Sequence, residues 1–585
     1  MNYILRTNEE REKKMTLNDA FRSLKPLLSD EKRQLLLALF AIALTSTANL
    51  MAPVMIGRTI DTYIITKNFH GVLVNSGILF LIFAVGVAAQ YMQTKVMGGV
   101  GRRVLFKLRN GIFTKLQSLP VAFFNANKAG DLISRINNDT DKLNQFFSQA
   151  LMQFVGNFFI MLGAAIFMLS LHVRLGAATL VPAVVVIVIT QIISGWIKRT
   201  STKSLQSTGA MSAEIQESIA NFKVVVAFNR LDFFRTKFAE ANTRNYVASV
   251  KAGIASGTLT PLYTIASNAA QIIVLAYGFS LILAGNLTFG LLIGFMLYVN
   301  NFYTPLRQLA SIWSSLQLAM ASLDRISEVL DLETTIKVVP SDKKIEAHGV
   351  LTFERVFFSY SSGKDVLRDV SFTLQKGKTY ALVGPTGGGK TTTASLMARL
   401  FDPTMGTVYL DGKDIRSYAP KERAQKIGFI LQEPFLFTGT VAENILYGND
   451  AYQEYSSEKL LEALQEKGLD GLLARFESGL DTKVGASDSI SLGQKQLIAF
   501  MRAVLRSPEI LILDEATANI DTVTEQMLEE ILEKLPKETT KVIIAHRLNT
   551  IQNADDIFFV NSGEVVHAGS FDHALEMLMH GKRTS

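Results

Sequence analysis

Cysteine is absent from all 585 residues of the chain, and charged residues are scarce. Without cysteine, disulfide bonds, thiolate metal sites and thiol nucleophiles are excluded. Asp, Glu, Lys and Arg make up 19% of the chain and hydrophobic residues 48%, an apolar balance for a soluble protein. The N-terminus is polar and charged, so it lacks the apolar core of a signal peptide. The composition therefore indicates a membrane protein whose first apolar helix directs insertion.

Six long apolar segments occupy the first half of the chain. A helix needs about 20 mostly apolar residues to cross a bilayer, so each segment is long enough. The predicted spans are residues 35–56, 72–93, 150–171, 175–197, 259–283 and 289–309. Short loops separate the third span from the fourth and the fifth from the sixth, which predicts two tight hairpins on one side of the membrane.

Basic residues mark the other side of the membrane. They cluster in the N-terminal segment and in two long connections, residues 97–149 and 198–258. The clustered cations are Arg11, Lys13, Lys14, Lys32, Arg33, Arg102, Arg103, Lys107, Arg109, Lys115, Lys198, Arg199, Lys203, Lys223, Arg230 and Arg235. Because basic loops stay in the cytoplasm, we expect both termini there. Each connection is predicted to extend the spans as helices joined by a turn, near residues 123–132 and 216–230.

The centres of the spans carry almost no formal charge, which argues against a proton or ion relay. They carry amides and prolines instead. These are Asn49, Gln90, Gln153, Asn157, Asn268, Gln271, Asn300 and Asn301, with Pro53, Pro182, Pro261 and Pro305. The amides have two interpretations, hydrogen bonds between helices or the lining of a cavity for amphipathic cargo. The prolines fit helices that kink or move, but proline is common in spans.

The strongest chemical signal is YALVGPTGGGKTTTASLMARL, residues 380–400. An apolar strand runs into G-x-x-x-x-G-K-T and then into a helix, the context that a phosphate-binding loop requires. Glycines let backbone amides turn toward phosphate oxygens, and the helix N-terminus adds positive potential. Lys390 is placed to reach the β- and γ-phosphates, and the Thr391 hydroxyl to ligate Mg²⁺. The predicted ATP-binding residues of this loop are Gly384, Pro385, Thr386, Gly387, Gly388, Gly389, Lys390, Thr391 and Thr392.

The segment EILILDEATANID, residues 509–521, reads as a buried parallel strand that ends in two carboxylates. Asp514 is placed to hold Mg²⁺ through water. Glu515 is then the natural general base for the water that attacks the γ-phosphate. A strand that merely ends in an acidic turn is the plainer interpretation, but the phosphate-binding loop upstream favours the catalytic one.

Polar residues also follow other predicted strands. KVIIAHRLNT, residues 541–550, places His546 at a strand's carboxyl end, the edge where parallel sheets bind ligands. GFILQEPFLF, residues 428–437, places Gln432 in the same way, where its amide can join Mg²⁺ and water. Tyr360 lies upstream of the phosphate-binding loop, where its ring can stack on adenine. Taken alone, Gln432 and Tyr360 are weak signals.

These motifs, in this order, resemble the nucleotide-binding domain of an ABC ATPase, and six spans ahead of them resemble a half-size ABC exporter of the multidrug and lipid-flippase type. Matching stretches are PVMIGRTID (53–61), GDLISRINNDTD (130–141), FYTPLRQL (302–309) and ASLDRISEVLD (321–331). The resemblance implies roles for Tyr360 (adenine stacking), Gln432 (Q-loop), Glu515 (catalytic carboxylate), Asp521 (D-loop) and His546 (switch histidine). The two turn regions of the long connections resemble coupling helices.

The predicted fold is an all-α six-helix transmembrane domain followed by an α/β P-loop nucleotide-binding domain of the ABC type. The predicted boundaries are residues 1–34 for a cytoplasmic N-terminus with a candidate amphipathic elbow helix, 35–320 for the transmembrane domain, 321–348 for a linker and 349–585 for the nucleotide-binding domain. The implied cofactors are ATP and Mg²⁺, with Thr391, Gln432 and Asp514 as the Mg²⁺ residues. The implied location is the cytoplasmic membrane.

The family resemblance also implies a second chain. In such exporters each ATP lies between the P-loop of one nucleotide domain and the L-S-G-G-Q signature of the other. The corresponding stretch here is ISLGQ, in which Ser491, Gly493 and Gln494 match and Leu492 replaces a glycine. A glycine lets the backbone approach the γ-phosphate, whereas a leucine adds a branched side chain and restricts the backbone. The preceding KVGASDS also departs, with Ala486 where the family usually has glutamate.

Two assemblies fit this departure. The favoured one is an asymmetric heterodimer, in which this chain keeps Lys390, Asp514, Glu515 and His546 and its partner covers them with an intact signature. The other is a homodimer that tolerates Leu492. The predicted function is ATP-driven export of hydrophobic or amphipathic compounds by alternating access. A homodimeric lipid flippase or peptide exporter is the alternative. The six spans disfavour a nucleic-acid-binding ABC ATPase, and the fusion of membrane and nucleotide domains in one chain disfavours an importer.

Overall fold

The computed structural model describes residues 5, 19, 22, 25–26, 28–333, 338–339, 346, 349–360, 363–485, 490–514, 522–544 and 552–580. The chain divides into two compact units. The helical unit comprises Thr7–Lys115 and Gly130–Asp331. The α/β unit comprises Met1–Arg6, Leu116–Ala129 and Leu332–Ser585.

Long helices dominate the first half of the chain, as its apolar segments predict. In order they are α1 (Lys32–Thr59), α2 (Phe69–Gln117), α3 (Val121–Ala126), α4 (Ala129–Ser134), α5 (Thr140–Gln145), α6 (Leu151–Leu171), α7 (Val173–Ala220), α8 (Phe222–Ala227), α9 (Leu231–Gly257), α10 (Leu259–Leu283) and α11 (Phe289–Leu330). Short π-helical turns at Ile60–Ile64, Arg135–Asp139 and Phe146–Ala150 continue the neighbouring helices.

Five helical runs among the described residues are long and apolar enough to cross a membrane. They are Lys32–Ile64, Phe69–Gln117, Ala129–Leu171, Val173–Ala220 and Leu231–Leu283, and they contain the first five predicted spans. The sixth predicted span lies within α11, which is helical over 42 residues but less apolar, because it carries Asn300 and Asn301. A helix therefore passes through each of the six predicted spans.

The loops follow the predicted pattern of tight hairpins on one side and long extensions on the other. Only His172 separates α6 from α7, and its Nδ1 accepts a hydrogen bond from the Leu175 amide at 3.1 Å, which caps α7. Residues 284–288 separate α10 from α11. On the other side, α2 and α7 continue well past the predicted spans, and the short helices α3 and α8 lie at the two predicted turns.

Helices α1 and α11 approach each other closely at a pair of glycines. A Cβ added to Gly57 would lie 2.7 Å from the carbonyl oxygen of Gly290, and a Cβ on Gly290 would collide with the carbonyl oxygen of Gly57. Beside this crossing, Asp61 accepts hydrogen bonds from the Gly290 amide at 2.7 Å and the Thr288 hydroxyl at 2.5 Å. Small residues and one carboxylate thus position the start of α11 against the end of α1.

Three predicted amides of the spans act in hydrogen bonds between helices. Pro53 has no N–H, so the carbonyl of Asn49 loses its helical donor. The side-chain amide of Asn301 donates to that carbonyl at 3.1 Å. Gln271 likewise donates to Asn300 at 3.0 Å. The hydrogen-bond interpretation therefore holds for Gln271, Asn300 and Asn301.

The α/β unit is built from twelve described strands and seven helices after residue 350. The strands are β1 (Leu351–Ser359), β2 (Asp365–Leu374), β3 (Thr379–Val383), β4 (Met405–Leu410), β5 (Lys413–Asp414), β6 (Ile427–Ile430), β7 (Gly439–Thr440), β8 (Lys483–Val484), β9 (Ile510–Asp514), β10 (Thr540–Ile544), β11 (Asp556–Asn561) and β12 (Glu564–His567). The helices are α12 (Lys390–Met397), α13 (Pro420–Lys426), α14 (Val441–Leu446), α15 (Ser457–Glu466), α16 (Leu492–Leu505), α17 (Thr522–Lys534) and α18 (Phe571–His580).

The main sheet has the order β12-β11-β3-β10-β9-β6, in which all neighbours are parallel except the edge strand β12. Strand β9 is buried along its whole length, as its apolar run predicts. A second, antiparallel sheet has the order β2-β1-β4-β5. Because β3, β9 and β10 are parallel neighbours, their carboxyl ends meet at one edge of the main sheet, where Asp514 ends β9 and the loop to Lys390 follows β3.

Candidate nucleotide-binding site

The loop between β3 and α12 adopts backbone conformations that glycine favours. Gly384, Gly387 and Gly389 have φ values of 143°, 80° and 115°. A Cβ on Gly384 would collide with the carbonyl oxygen of Val560, and a Cβ on Gly388 would lie 2.5 Å from the same atom. The loop therefore lies directly against the end of β11, and side chains at these positions would force the two apart.

Lys390 begins α12 and is 6% exposed. Its ammonium group donates hydrogen bonds to the carbonyl oxygens of Gly384 at 2.8 Å and Pro385 at 3.1 Å. These bonds hold the positive charge inside the loop, between the turn and the N-terminus of the helix. Pro385, Thr386 and Gly387 form the exposed tip of the same turn. The lysine and the loop amides thus face the space that a phosphate chain occupies in this type of loop.

Thr391 and Asp514 come together from different elements of the unit. The Thr391 hydroxyl donates to Oδ1 of Asp514 at 3.2 Å. Asp514 is 1% exposed and ends β9, so the sheet fixes its carboxylate next to the first turn of α12. A hydroxyl and a carboxylate fit Mg²⁺, which takes oxygen ligands and usually pairs one or two carboxylates with phosphate oxygens. Gln432 follows β6, the neighbour of β9, and is exposed.

Tyr360 lies beside the first turn of α12. Its hydroxyl is 3.0 Å from that of Thr392, and either group can donate. Its ring meets Phe358 and Phe401 edge to face, with centroids 4.9 Å and 5.4 Å away. These contacts hold the ring while leaving 37% of the residue exposed, which leaves surface available for a stacked base.

Three predicted site residues, the catalytic Glu515 and His546 and the D-loop Asp521, lie outside the described residues. Their neighbours in the chain are described. Glu515 follows Asp514 directly, and His546 comes two residues after β10 ends at Ile544. The roles of these three residues stay predictions.

The signature stretch forms the start of α16. The Ser491 hydroxyl accepts from the Gln494 amide at 3.2 Å, and Oε1 of Gln494 accepts from the Ser491 amide at 2.9 Å. This capping box satisfies two backbone donors that the helix start would otherwise leave unpaired. Nε2 of Gln494 also donates to the carbonyl of Arg475 at 2.6 Å. Ser491, Gly493 and Gln494 therefore sit at a well-defined helix N-terminus.

Leu492 is the first residue of α16 and is 41% exposed. It is not among the residues with positive φ, so its backbone is ordinary helix. The expected restriction of the backbone by leucine therefore does not apply at this position. Leu492 therefore differs from glycine here by the volume of an exposed, branched side chain at the tip of the helix.

The structure adds contacts that the sequence motifs do not reveal. The carbonyl oxygen of Val560 lies against the phosphate-binding loop, and the ring of Phe401 packs against that of Tyr360. The carbonyl of Arg475 accepts a hydrogen bond from Gln494. Each of these residues is far from its partner in the chain, and none stands in a recognisable motif. Only the three-dimensional pairing of the elements brings them together.

Comparison with known proteins gives the same domain order. Residues 35–306 match the family model of the ABC transporter transmembrane region, and residues 367–518 match that of the ABC transporter. An uncharacterised ABC transporter ATP-binding protein of Bacillus subtilis is 32% identical over 554 residues, which cover 94% of this chain and 91% of that protein. The nucleotide-binding fold and the transmembrane helices thus match the family in both halves.

Two further relatives carry names that describe a cargo. A fatty acid ABC transporter ATP-binding/permease protein of Mycobacterium tuberculosis is 34% identical over 496 residues, 84% of this chain and 78% of that protein. A multidrug resistance ABC transporter ATP-binding and permease protein of Lactococcus lactis is 31% identical over 505 residues, 86% of this chain and 85% of that protein. The chain belongs to the ABC transporter family, as a half-size member that joins one transmembrane region to one ATP-binding domain and couples ATP hydrolysis to transport.

Proposed function

We propose that this chain is one subunit of an exporter that moves hydrophobic or amphipathic compounds across the cytoplasmic membrane. ATP binding closes the nucleotide-binding domains and turns the transmembrane domains from inward- to outward-facing, and hydrolysis resets them. Relatives named for multidrug resistance and fatty acid transport support such cargo. So do spans whose polar groups are amides rather than charges. Both termini and the nucleotide-binding domain are proposed to face the cytoplasm.

The contact between Thr391 and Asp514 carries the proposal for the ATP site, because it joins the phosphate-binding loop to the carboxyl end of β9. Lys390 neutralises the β- and γ-phosphates, and Tyr360 stacks on adenine. Thr391, Asp514 and Gln432 hold Mg²⁺, which neutralises phosphate charge during hydrolysis. Glu515 accepts the proton of the attacking water, and His546 contacts the γ-phosphate. Asp521 lies in the D-loop that faces the second chain.

The second chain is proposed to be a different half-exporter with an intact signature. Its signature covers the ATP held by Lys390, which makes one competent site. Ser491, Gly493 and Gln494 cover the ATP of the partner, where the exposed side chain of Leu492 hinders close approach of α16 to the γ-phosphate. If this hindrance removes one hydrogen-bond donor from the γ-phosphate, the rate of ATP hydrolysis at that site falls on the order of 10²–10³-fold. The site built on Lys390 is unaffected, because the partner's signature and not Leu492 covers it.

Purification of this chain alone and together with a second half-exporter tests the assembly. We expect ATP hydrolysis and ATP-dependent dye uptake into inside-out vesicles only with the two-chain complex. Glu515→Gln in this chain should abolish both activities. Robust, cooperative hydrolysis by the chain alone would instead establish a homodimer, and uptake that survives Glu515→Gln would remove Glu515 from the catalytic role.

A lipid cargo is the second candidate, and the relative named for fatty acid transport favours it. A homodimeric lipid flippase or peptide exporter would share the same fold. Competition distinguishes the cargoes, because fatty acids or phospholipids that stimulate hydrolysis and block dye uptake would identify a lipid exporter. Stimulation by peptides alone would identify a peptide exporter.

A further inference from the structure

A basic cavity lies between α7 and α9, within the helical unit and beyond the predicted spans. Its volume is about 380 Å³. Lys203 on α7 and Arg244 and Lys251 on α9 line it, with Val247 and Ala248 as its apolar wall. We name these five residues the basic cavity. Among the described residues, no acidic side chain is part of its lining.

The pairing of α7 with α9 places Lys203 and Lys251 at the same height along the two helices. The hydroxyls of Ser204 and Ser249 are 3.2 Å apart, and one turn further from the spans the Thr208 hydroxyl donates to Asn245 at 2.9 Å. The helices are therefore antiparallel neighbours, and Lys203 lies nearly opposite Lys251. Both lysines thus face one cavity from opposite helices. On a diffuse basic surface, the lysines would not have to share a cavity.

The depth of the lysines matches lipid headgroups. With a rise of about 1.5 Å per residue, Lys203 lies about 9 Å beyond the predicted end of the fourth span at residue 197. Lys251 lies about 12 Å before the predicted start of the fifth span at residue 259. The headgroup layer of one leaflet is about 5–8 Å thick, and the long stem of lysine spans the remaining distance.

The charge of the basic cavity is largely uncompensated. Arg244 has one carboxylate, that of Glu240, at 3.7 Å, and both side chains are about two-thirds exposed. Lys203 and Lys251 form no ion pair within the part of the chain that the structure describes. Two ammonium groups that face the same cavity repel each other, and an anion between them removes that repulsion.

We infer that the basic cavity binds the phosphate headgroup of an anionic phospholipid from the cytoplasmic leaflet. Lys203 and Lys251 contact the phosphate oxygens from the two helices. Val247 and Ala248 exclude water on one side of the phosphate, which strengthens the attraction. Arg244, further from the bilayer, adds to the field that draws the headgroup in. The inference depends neither on the cargo nor on the asymmetry of the ATP sites.

Native mass spectrometry of the complete detergent-solubilised transporter tests this site. The complex is titrated with phosphatidylglycerol or with phosphatidylcholine of identical acyl chains. A basic residue near an anionic lipid surface contributes about 1 kcal/mol, which is about fivefold in affinity. Lys203→Gln with Lys251→Gln should therefore weaken phosphatidylglycerol binding about 30-fold and leave phosphatidylcholine unchanged. Lys203→Arg with Lys251→Arg should retain binding.

A matched control removes the same charge just outside the cavity. Lys198→Gln with Arg199→Gln should leave phosphatidylglycerol binding nearly unchanged, because neither residue lines the cavity, although both lie closer to the span. Equal weakening by this pair would show that lipid binding depends on basic charge near the membrane in general and not on the cavity. That result would overturn the inference. Displacement of phosphatidylglycerol by inorganic phosphate at constant ionic strength would also overturn it, because the ligand would then come from water.

Discussion

At the scale of single residues, Thr391 joins two parts of the chain that are far apart in sequence. Its hydroxyl reaches Asp514 at 3.2 Å, although the two residues are 123 positions apart in the chain. Both groups offer oxygen atoms to a metal ion that neutralises phosphate charge. The hydroxyl of Thr391 therefore matters more than the rest of its side chain.

Thr391→Val keeps the shape of the side chain and removes the hydroxyl. We expect ATP hydrolysis by the transporter to fall about 10²-fold, because the phosphates and Mg²⁺ lose a preorganised oxygen ligand. Thr391→Ser, which retains the hydroxyl, should stay close to the unmodified protein. Phosphate release measured across a Mg²⁺ titration checks this. Unchanged hydrolysis by the valine variant at every Mg²⁺ concentration would remove Thr391 from the metal site.

Leu492 lies in helical backbone, so glycine there costs at most about 1 kcal/mol of helix stability. In the proposed heterodimer, Leu492→Gly should change the hydrolysis rate of the two-chain complex by no more than about twofold, because the competent site uses the partner's signature. In a homodimer both sites use ISLGQ, so any hindrance by Leu492 would be relieved at both sites and hydrolysis would rise by up to about 10²-fold. Leu492→Ala should behave like Leu492→Gly, because both substitutions remove the branched side chain. The assay is steady-state hydrolysis by the purified complex.

At the scale of elements, α11 stabilises an irregularity in its neighbour α1. Pro53 leaves the carbonyl of Asn49 without a helical donor, and Asn301 supplies one. Tyr298 donates to the next carbonyl, that of Leu50, at 2.6 Å. An unpaired carbonyl inside a bilayer is costly, so the proline in α1 and the amide in α11 form one functional pair.

The proline and the amide should therefore be coupled in stability. Asn301→Leu is expected to lower the stability of the transporter by about 0.6–1.7 kcal/mol, the range of hydrogen bonds between membrane helices. With Pro53→Ala, the backbone N–H of residue 53 returns to the Asn49 carbonyl, and Asn301→Leu should then have almost no effect. A double-mutant cycle of thermal unfolding in detergent measures the coupling, and additive losses would contradict it.

A buried ion pair connects α11 to the segment before α5. Asp139 is 1% exposed and accepts hydrogen bonds from Arg325 and from the Ser322 hydroxyl, the latter at 3.2 Å. Arg135, which is 3% exposed, donates to Glu328 at 2.8 Å. These bonds link helices that approach each other outside the predicted spans. Removal of one partner leaves the other charge unpaired.

Asp139→Asn should lower the melting temperature of the transporter strongly, because loss of one partner of a buried pair costs about 3–5 kcal/mol. Adding Arg325→Gln should recover part of the loss, since the unpaired cation disappears. Asp131→Asn is the matched control, because Asp131 is half exposed and Arg135 keeps Glu328. Scanning fluorimetry on tryptophan emission measures all four proteins. Equal losses for Asp139→Asn and Asp131→Asn would show that burial does not matter here.

Local patterns in the sequence predict the elements, but not the contacts between them. The length of each apolar run predicts the spans, and the strand–loop–helix pattern predicts the phosphate-binding loop around Lys390. The contact of Val560 with that loop depends on the pairing of β11 with β3, which no local pattern encodes. Leu492 shows the same limit, because a motif comparison does not reveal that its position is helical.

At the scale of the whole molecule, the distribution of charge predicts the orientation in the membrane. The basic connection that contains α8 is expected on the cytoplasmic side, and the short loop between α10 and α11 on the opposite side. The absence of cysteine makes this orientation directly measurable, because a single introduced cysteine is the only thiol in the chain. The chain thus provides its own cysteine-free background.

Lys223→Cys in α8 and Asn286→Cys in the loop before α11 should report opposite sides of the membrane. Both positions are exposed, so a membrane-impermeant maleimide can reach them. We expect labelling of Asn286→Cys in intact cells, and labelling of Lys223→Cys only in inside-out vesicles. ATP-dependent transport by each variant confirms that the labelled protein is folded. Labelling of Lys223→Cys in intact cells would reverse the topology and would place the nucleotide-binding domain away from the ATP of the cytoplasm.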